Sequence, residues 1–187
     1  RENNLMVVVE NGIDTTLFGP VTKERKVYLR NTYLIPPEAF VMVSCAGTAL
    51  HKGWHFLARA AASFENCIVL IVGDQPIQDK LLKLIGKKPI GNLRFTGYQH
   101  DVRPFLQLAD VGFVLSTSIE TASFACREMM ASGLPILVSD FGCLPDNVDS
   151  RTGWVVPSGS EEALRDFLPQ LKTEDCSSMG KAARNRA

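Results

Sequence analysis

Residues 115–148, LSTSIETASFACREMMASGLPILVSDFGCLPDNV, decide how this chain is read. The order of apolar, small and breaking residues predicts a strand end, a loop, a helix with a tight stop, a second strand and a second loop. The apolar run over 111–115 breaks off at Ser116-Thr117-Ser118, and Glu120 falls in the loop beyond it. Thr121 or Ser123 caps the helix that follows, because a side-chain oxygen satisfies the free N–H groups of a first turn. Thr121, Ala122 and Ser123 are all small and leave that N-terminus open, and an open helix N-terminus attracts anions. Glu128 rides on the helix, Gly133 ends it, and Pro135 prevents its continuation. A buried strand over 136–138 then leads into Ser139-Asp140-Phe141-Gly142. Two carboxylates, Glu120 and Glu128, therefore frame a helix start able to hold a phosphate. That start lies on the C-terminal edge of a parallel sheet, where open α/β sheets bind ligands.

Working outward, the same alternation recurs. Short apolar strands are expected at 5–10, 40–45, 68–72, 93–95, 111–115 and 154–156. Helices are expected at 23–33, from Gly53 to about Ser63, up to Gly86, from a cap at Asp101 to Leu108, and from Ser160 to Leu168, where Pro169 follows. Strand ends give way to small residues at Gly47, Gly73, Gly97, Ser116 and Gly142. Strand–helix alternation of this kind specifies an α/β fold: a doubly wound, mostly parallel, Rossmann-like sheet covered on both faces. No repeat, low-complexity run or interior linker divides the 187 residues, so one domain over 1–187 is expected. The chain opens without Met and closes on a run that reads as a helix cut short, so both ends read as boundaries within a longer protein.

Composition excludes several classes. Lys and Arg number 20, as do Asp and Glu, so no bulk field calls for nucleic acid or an anionic surface. No apolar run approaches the ~20 residues of a spanning helix. The five cysteines (Cys45, Cys67, Cys126, Cys143, Cys176) form no C-x-x-C pair and read as free thiols in a reducing, cytoplasmic setting. Dinucleotide, P-loop and nucleophile-elbow motifs are missing. His51 and His55 stand four apart, which reads as a solvated helix face ahead of a metal site.

Further along the chain a set of short motifs accumulates in a fixed order. Asn11-Gly12-Ile13-Asp14 precedes Phe18 and Pro20; Lys52-Gly53 follows the first core strand; Val72-Gly73-Asp74 and Phe95-Thr96-Gly97 end the next two. Ala109-Asp110-Val111 precedes an E-x7-E pair, Glu120 and Glu128, then Met130-Ala131-Ser132-Gly133-Leu134-Pro135-Ile136 and the loop over 142–148. In this order and spacing the chain resembles the C-terminal, donor-binding domain of a GT-B glycosyltransferase, in particular the retaining enzymes of glycosyltransferase family 4.

The resemblance implies a nucleotide-sugar donor and no metal or other cofactor. It places Glu128 on the nucleotide ribose, Glu120 on the donor sugar and Lys52 on the departing diphosphate. Backbone N–H groups of Ser123, Phe124 and Ala125 would meet the same diphosphate, with Gly47 and Thr48 from the loop after the first core strand. The base would lie against Gly97, Tyr98 and Arg103. The acceptor, a glycan, lipid or other hydroxyl, would be held by an N-terminal half outside this sequence, and the whole protein would associate with a membrane. Two departures stand beside these matches. Gly47 occupies the place of the family's Arg, and Thr121-Ala122-Ser123 replaces its glycine-bearing loop. They leave open a degenerate, non-catalytic relative that only binds nucleotide or a protein partner. Without the resemblance, Glu128 is equally a surface charge, Glu120 a turn residue and Lys52 a helix-start charge. Asp74 and Asp140 read as turn holders and Trp54 as core.

Overall fold

A computed structural model describes residues 11–85, 91–171 and 176–187; the strand expected at 5–10 lies outside them. Six strands are described: β1 (Phe40–Ser44), β2 (Cys67–Ile71), β3 (Leu93–Phe95), β4 (Val111–Val114), β5 (Ile136–Ser139) and β6 (Gly153–Val156). Between and around them run α1 (Lys23–Thr32), α2 (Trp54–Ala60), α3 (Gln78–Ile85), α4 (Arg103–Leu108), α5 (Phe124–Ala131), α6 (Glu161–Leu171) and α7 (Cys176–Arg186). The strands form one sheet in the order β3-β2-β1-β4-β5-β6, every neighbouring pair parallel. The order reverses between β1 and β4, the kind of switch point at which open α/β sheets bind ligands.

Alternate residues of each strand feed two separate cores. Val41, Val43, Val114, Ile136 and Val138 pack with Leu29 of α1, Phe105 and Leu108 of α4, and Met129 of α5. Met42, Val69, Ile71, Phe113 and Leu137 face Trp54 and Leu57 of α2 and Leu164 and Leu168 of α6. Each fully buried side chain of this size contributes about 1.5–3 kcal/mol, which is why these runs are apolar on both faces.

At the far end of the strands Asp110 braces the sheet. Its carboxylate accepts from Lys26 Nζ, Arg30 Nη2 and the Val41 N–H, each at 2.8 Å, tying α1 to the starts of β1 and β4. The Ala-Asp-Val motif is thus structural. Asp14 Oδ1 accepts the N–H groups of Thr16 (2.8 Å) and Leu17 (3.0 Å), and Arg184 of α7 donates to Thr15, Phe18 and Ala131 carbonyls, fastening that opening turn to α5. Asp74 and Asp140 hold turns as expected: each accepts a distant backbone N–H, from Tyr98 at 2.8 Å and Ser158 at 2.7 Å.

Three expectations need correction. Helix α6 does not stop before Pro169 but passes through it to Leu171, which is buried along with Leu168. Burying Leu171 is comparable in size to the ~3 kcal/mol cost of an interior proline. The helix after Gly53 ends at Ala60 and tightens into a 3₁₀ turn, Ala61–Ser63. His55 is not on a solvated face: it is buried between Trp54 and Phe56, and burial, with the nearby Arg59 charge, lowers its pKa to about 4. It is a neutral ring at physiological pH.

Candidate functional site

The two loops that leave β1 and β4 at the strand-order reversal carry Lys52 and Glu120. After β1 the chain passes Cys45, Gly47 and Thr48, makes a 3₁₀ turn over Leu50–Lys52, and enters α2 through Gly53. After β4 it runs from Leu115 to Ser123, the N-cap of α5. The loops are docked on each other. The Thr117 N–H donates to the His51 carbonyl at 2.7 Å, while within the first loop's own segment Trp54 Nε1 donates to the Thr48 carbonyl at 3.0 Å. Gly53, at φ 71°, lies so close beneath Leu115 that a Cβ there would stand 1.9 Å from the Leu115 oxygen. On the other side a Cβ on Gly142 would stand 2.7 Å from the Glu120 oxygen. Two glycines thus clamp the backbone of the Glu120 loop, and no larger residue fits in either place.

Inside that clamp Lys52 Nζ lies 3.0 Å from Glu120 Oε2, and Ser116 Oγ donates to the same oxygen at 2.5 Å. The pair is mostly withdrawn from water, with side-chain exposures of 19% and 7%. Ser116 is itself fixed: its carbonyl accepts from Ser139 Oγ at 2.7 Å and from Ser158 Oγ at 3.2 Å. The residue before Glu120, Ile119, is exposed and held at φ 48°. A β-branched residue in that region is strained, and strain of this kind gathers at binding loops.

Helix α5 starts beside the pair. Ser123, not Thr121, is its cap, the Oγ accepting the Cys126 N–H at 3.4 Å. Phe124 is exposed and Ala125 half-buried at the mouth of the helix. Glu128, a turn further on, is half-buried and turned toward the end of β1, where Cys45 Sγ lies 3.6 Å from its Oε2. Burial raises the Glu128 pKa above the ordinary carboxylate range, and the bond from Cys45 partly opposes the rise. Burial, followed by the Glu128 charge, pushes the Cys45 thiol well up, so it remains an S–H donor at neutral pH.

The remaining predicted residues line the same edge of the sheet. Gly47, at φ 93°, leaves open space where a side chain would project. Gly97 bridges Gly73, and Tyr98 projects beyond it, exposed, with the His100 ring edge-on at 5.1 Å. Arg103 is engaged locally: its Nε and Nη2 lie 2.7 and 2.8 Å from the Asp101 carboxylate. The structure therefore joins Lys52 to Glu120, sets Glu128 on the inner side of α5, and ties Arg103 to Asp101.

Sequence reading missed Ser116, Cys45 and the clamping role of Gly142. Ser116 stands four residues before Glu120 at a strand end, a visible but weak signal. The Cys45–Glu128 contact spans 83 residues and has no local signal. Two clefts lie elsewhere. One of about 600 Å³ is bordered by Ala122, Arg127, Met130 and Cys143, and one of about 490 Å³ lies between α1, α4 and α7, lined by Lys23, Lys26, Lys181 and Arg184. Neither is lined by Lys52, Glu120 or Glu128. Among the described residues no three His, Cys, Asp or Glu side chains converge as a metal site would need, and no helix is long and apolar enough to cross a membrane.

A doubly wound, all-parallel Rossmann-like sheet thus carries the Lys52–Glu120 pair at the β1/β4 reversal. The chain belongs to the family described as glycosyl transferases group 1, whose model matches residues 28–186. It is 36% identical over 142 residues to the lipopolysaccharide core biosynthesis glycosyltransferase LpsE of Rhizobium meliloti (strain 1021), covering 75% of this chain and 42% of that protein. The chain thus spans less than half the length of that relative. The fold is shared with Anabaena Alr3699/HepE in complex with UDP (TM-score 0.83, 21% identity, 96% of this chain and 51% of that one). It is also shared with the C-terminal domain of the glycosyl transferase group 1 protein LpcC of Francisella tularensis (TM-score 0.77, 18% identity, 94% and 96% coverage). What this chain has in common with both structures is the fold.

Proposed function

We propose that this chain is the donor-binding, C-terminal half of a retaining, family 4-like glycosyltransferase. It would hold a UDP- or GDP-linked sugar for transfer to a hydroxyl acceptor, with configuration kept at the anomeric carbon. The observation that carries this reading is the Lys52–Glu120 pair, fixed beside the capped start of α5 with Glu128 on that helix's inner side. Lys52 supplies a compact positive charge to the diphosphate, and the free amides of Phe124 and Ala125 add fixed dipoles as negative charge develops on the leaving group. Glu120 accepts from hydroxyls of the donor sugar. Glu128 accepts from the ribose hydroxyls, Gly47 and Thr48 border the diphosphate, and Gly97, Tyr98 and Arg103 border the base. No metal enters this scheme. The HepE neighbour is a complex with UDP, which supports a nucleotide donor here. The acceptor, lipid, glycan or other hydroxyl, would be bound by a second domain of a cytoplasmic protein peripheral to a membrane, and this chain alone would bind nucleotide without transferring sugar.

Calorimetric titration with UDP, GDP and ADP tests the reading. One of them should bind, and Glu128→Ala should weaken it by about tenfold or more, the worth of hydrogen bonds to a charged acceptor. Binding should also fall as pH is lowered, beginning above the ordinary carboxylate range, because protonation of the raised Glu128 removes its acceptor role. Equal affinity of Glu128→Ala and wild type would defeat the assignment. A second reading, nucleotide binding in a protein that does not transfer sugar, is favoured by Gly47 at the family's Arg position and by the Arg103–Asp101 pair.

A further inference from the structure

We propose that Cys45 is a positioning residue for the nucleotide site: its thiol aims the Glu128 carboxylate. The proposal rests on the reading of Glu128 as the ribose-binding group. Cys45 directly follows the last residue of β1, at the strand-order reversal. Its Sγ lies 3.6 Å from Glu128 Oε2 and 4.0 Å from the Ala125 carbonyl, so one thiol meets two α5 residues a turn apart. Among the described residues no other side chain donates a hydrogen bond to that carboxylate.

The choice of a thiol has physical consequences. A half-buried carboxylate offers about four acceptor positions, and leaving them unfilled is costly. A lysine or arginine here would lock Glu128 into an ion pair that an incoming ligand must break. An S–H is a weak donor. It fixes the rotamer of the carboxylate yet leaves most of its acceptor capacity for paired hydroxyl donors. Burial keeps the thiol protonated, so this donor is present at neutral pH.

The test is a titration series on the full chain with the nucleoside diphosphate that binds wild type, and with pyrophosphate, which has no ribose. Cys45→Ala should weaken the nucleotide by roughly threefold to tenfold, the range of one ordinary hydrogen bond. Pyrophosphate affinity should not change. Cys45→Ser, which keeps a donor, should bind nucleotide as wild type does. In a Glu128→Gln background, Cys45→Ala should cost nothing further, because the two act as one unit. Parallel losses for nucleotide and pyrophosphate would make Cys45 merely structural and overturn the proposal. Wild-type affinity in Cys45→Ala, with Glu128→Ala impaired, would overturn the role of Cys45 alone. Wild-type affinity in Glu128→Ala would overturn the reading of Glu128 beneath it.

Discussion

Gly53→Ala is expected to destabilise the chain by about 3–5 kcal/mol, a loss visible as a lower urea midpoint with an unchanged slope. Two costs add. At φ 71° an alanine adopts the left-handed region at a penalty of about 1–2 kcal/mol. Its Cβ would also sit 1.9 Å from the Leu115 oxygen and 2.7 Å from the Leu115 carbonyl carbon. Those are backbone atoms at the end of a central strand, not the tip of a side chain that can swing aside, so α2 or β4 must shift. Total stability of a domain is only about 5–15 kcal/mol, which makes this loss large. Gly47→Ala is the internal control. Its φ of 93° carries the same kind of strain, but a Cβ there meets nothing within 4 Å. It should cost about 1 kcal/mol. Near-wild-type stability of Gly53→Ala would mean the two loops are not packed as described.

Lys52→Ala is expected to weaken nucleoside diphosphate binding by about 10- to 100-fold, the worth of a charge-assisted hydrogen bond, while leaving the bare nucleoside's affinity unchanged. The lysine is held at the crevice by Glu120, whose carboxylate keeps the Ser116 hydroxyl when the lysine is removed. The loop should therefore survive the substitution with a modest loss of stability. The same pair sets the opposite sign for Glu120→Gln. Freeing Lys52 from its carboxylate should tighten a sugar-free diphosphate slightly and weaken a sugar-bearing donor. Equal losses for nucleoside and nucleoside diphosphate in Lys52→Ala would place the lysine away from the diphosphate.

Much of the fold was legible because strands buried on both faces must be continuously apolar and must end in small residues where loops cross the sheet edge. The segments around β1, β2, β4 and β5 obey that rule within a residue or two. Pro169 misled because a proline's local cost was weighed without the burial of Leu171. His55 misled because i, i+4 spacing names a helix face but not what packs on it. Motif spacing picks out Glu120, Glu128 and Lys52 as candidates, and the structure adds the direct Lys52–Glu120 contact across 68 residues. The resemblance places Arg103 near the base, and the structure pairs its guanidinium with Asp101 two residues earlier. Ser116, Cys45 and Gly142 were silent because their meaning lies in contacts between loops that only the strand order brings together.

The central claim is that a nucleotide lies at the β1/β4 reversal, and a crystal structure of the chain with its bound nucleoside diphosphate tests it most directly. The account predicts ribose hydroxyls on the Glu128 carboxylate, the diphosphate between Lys52 and the amides of Phe124 and Ala125, and the base against Gly97 and Tyr98. A nucleotide lodged instead in the cleft lined by Lys23, Lys181 and Arg184, with Glu128 untouched, would contradict it.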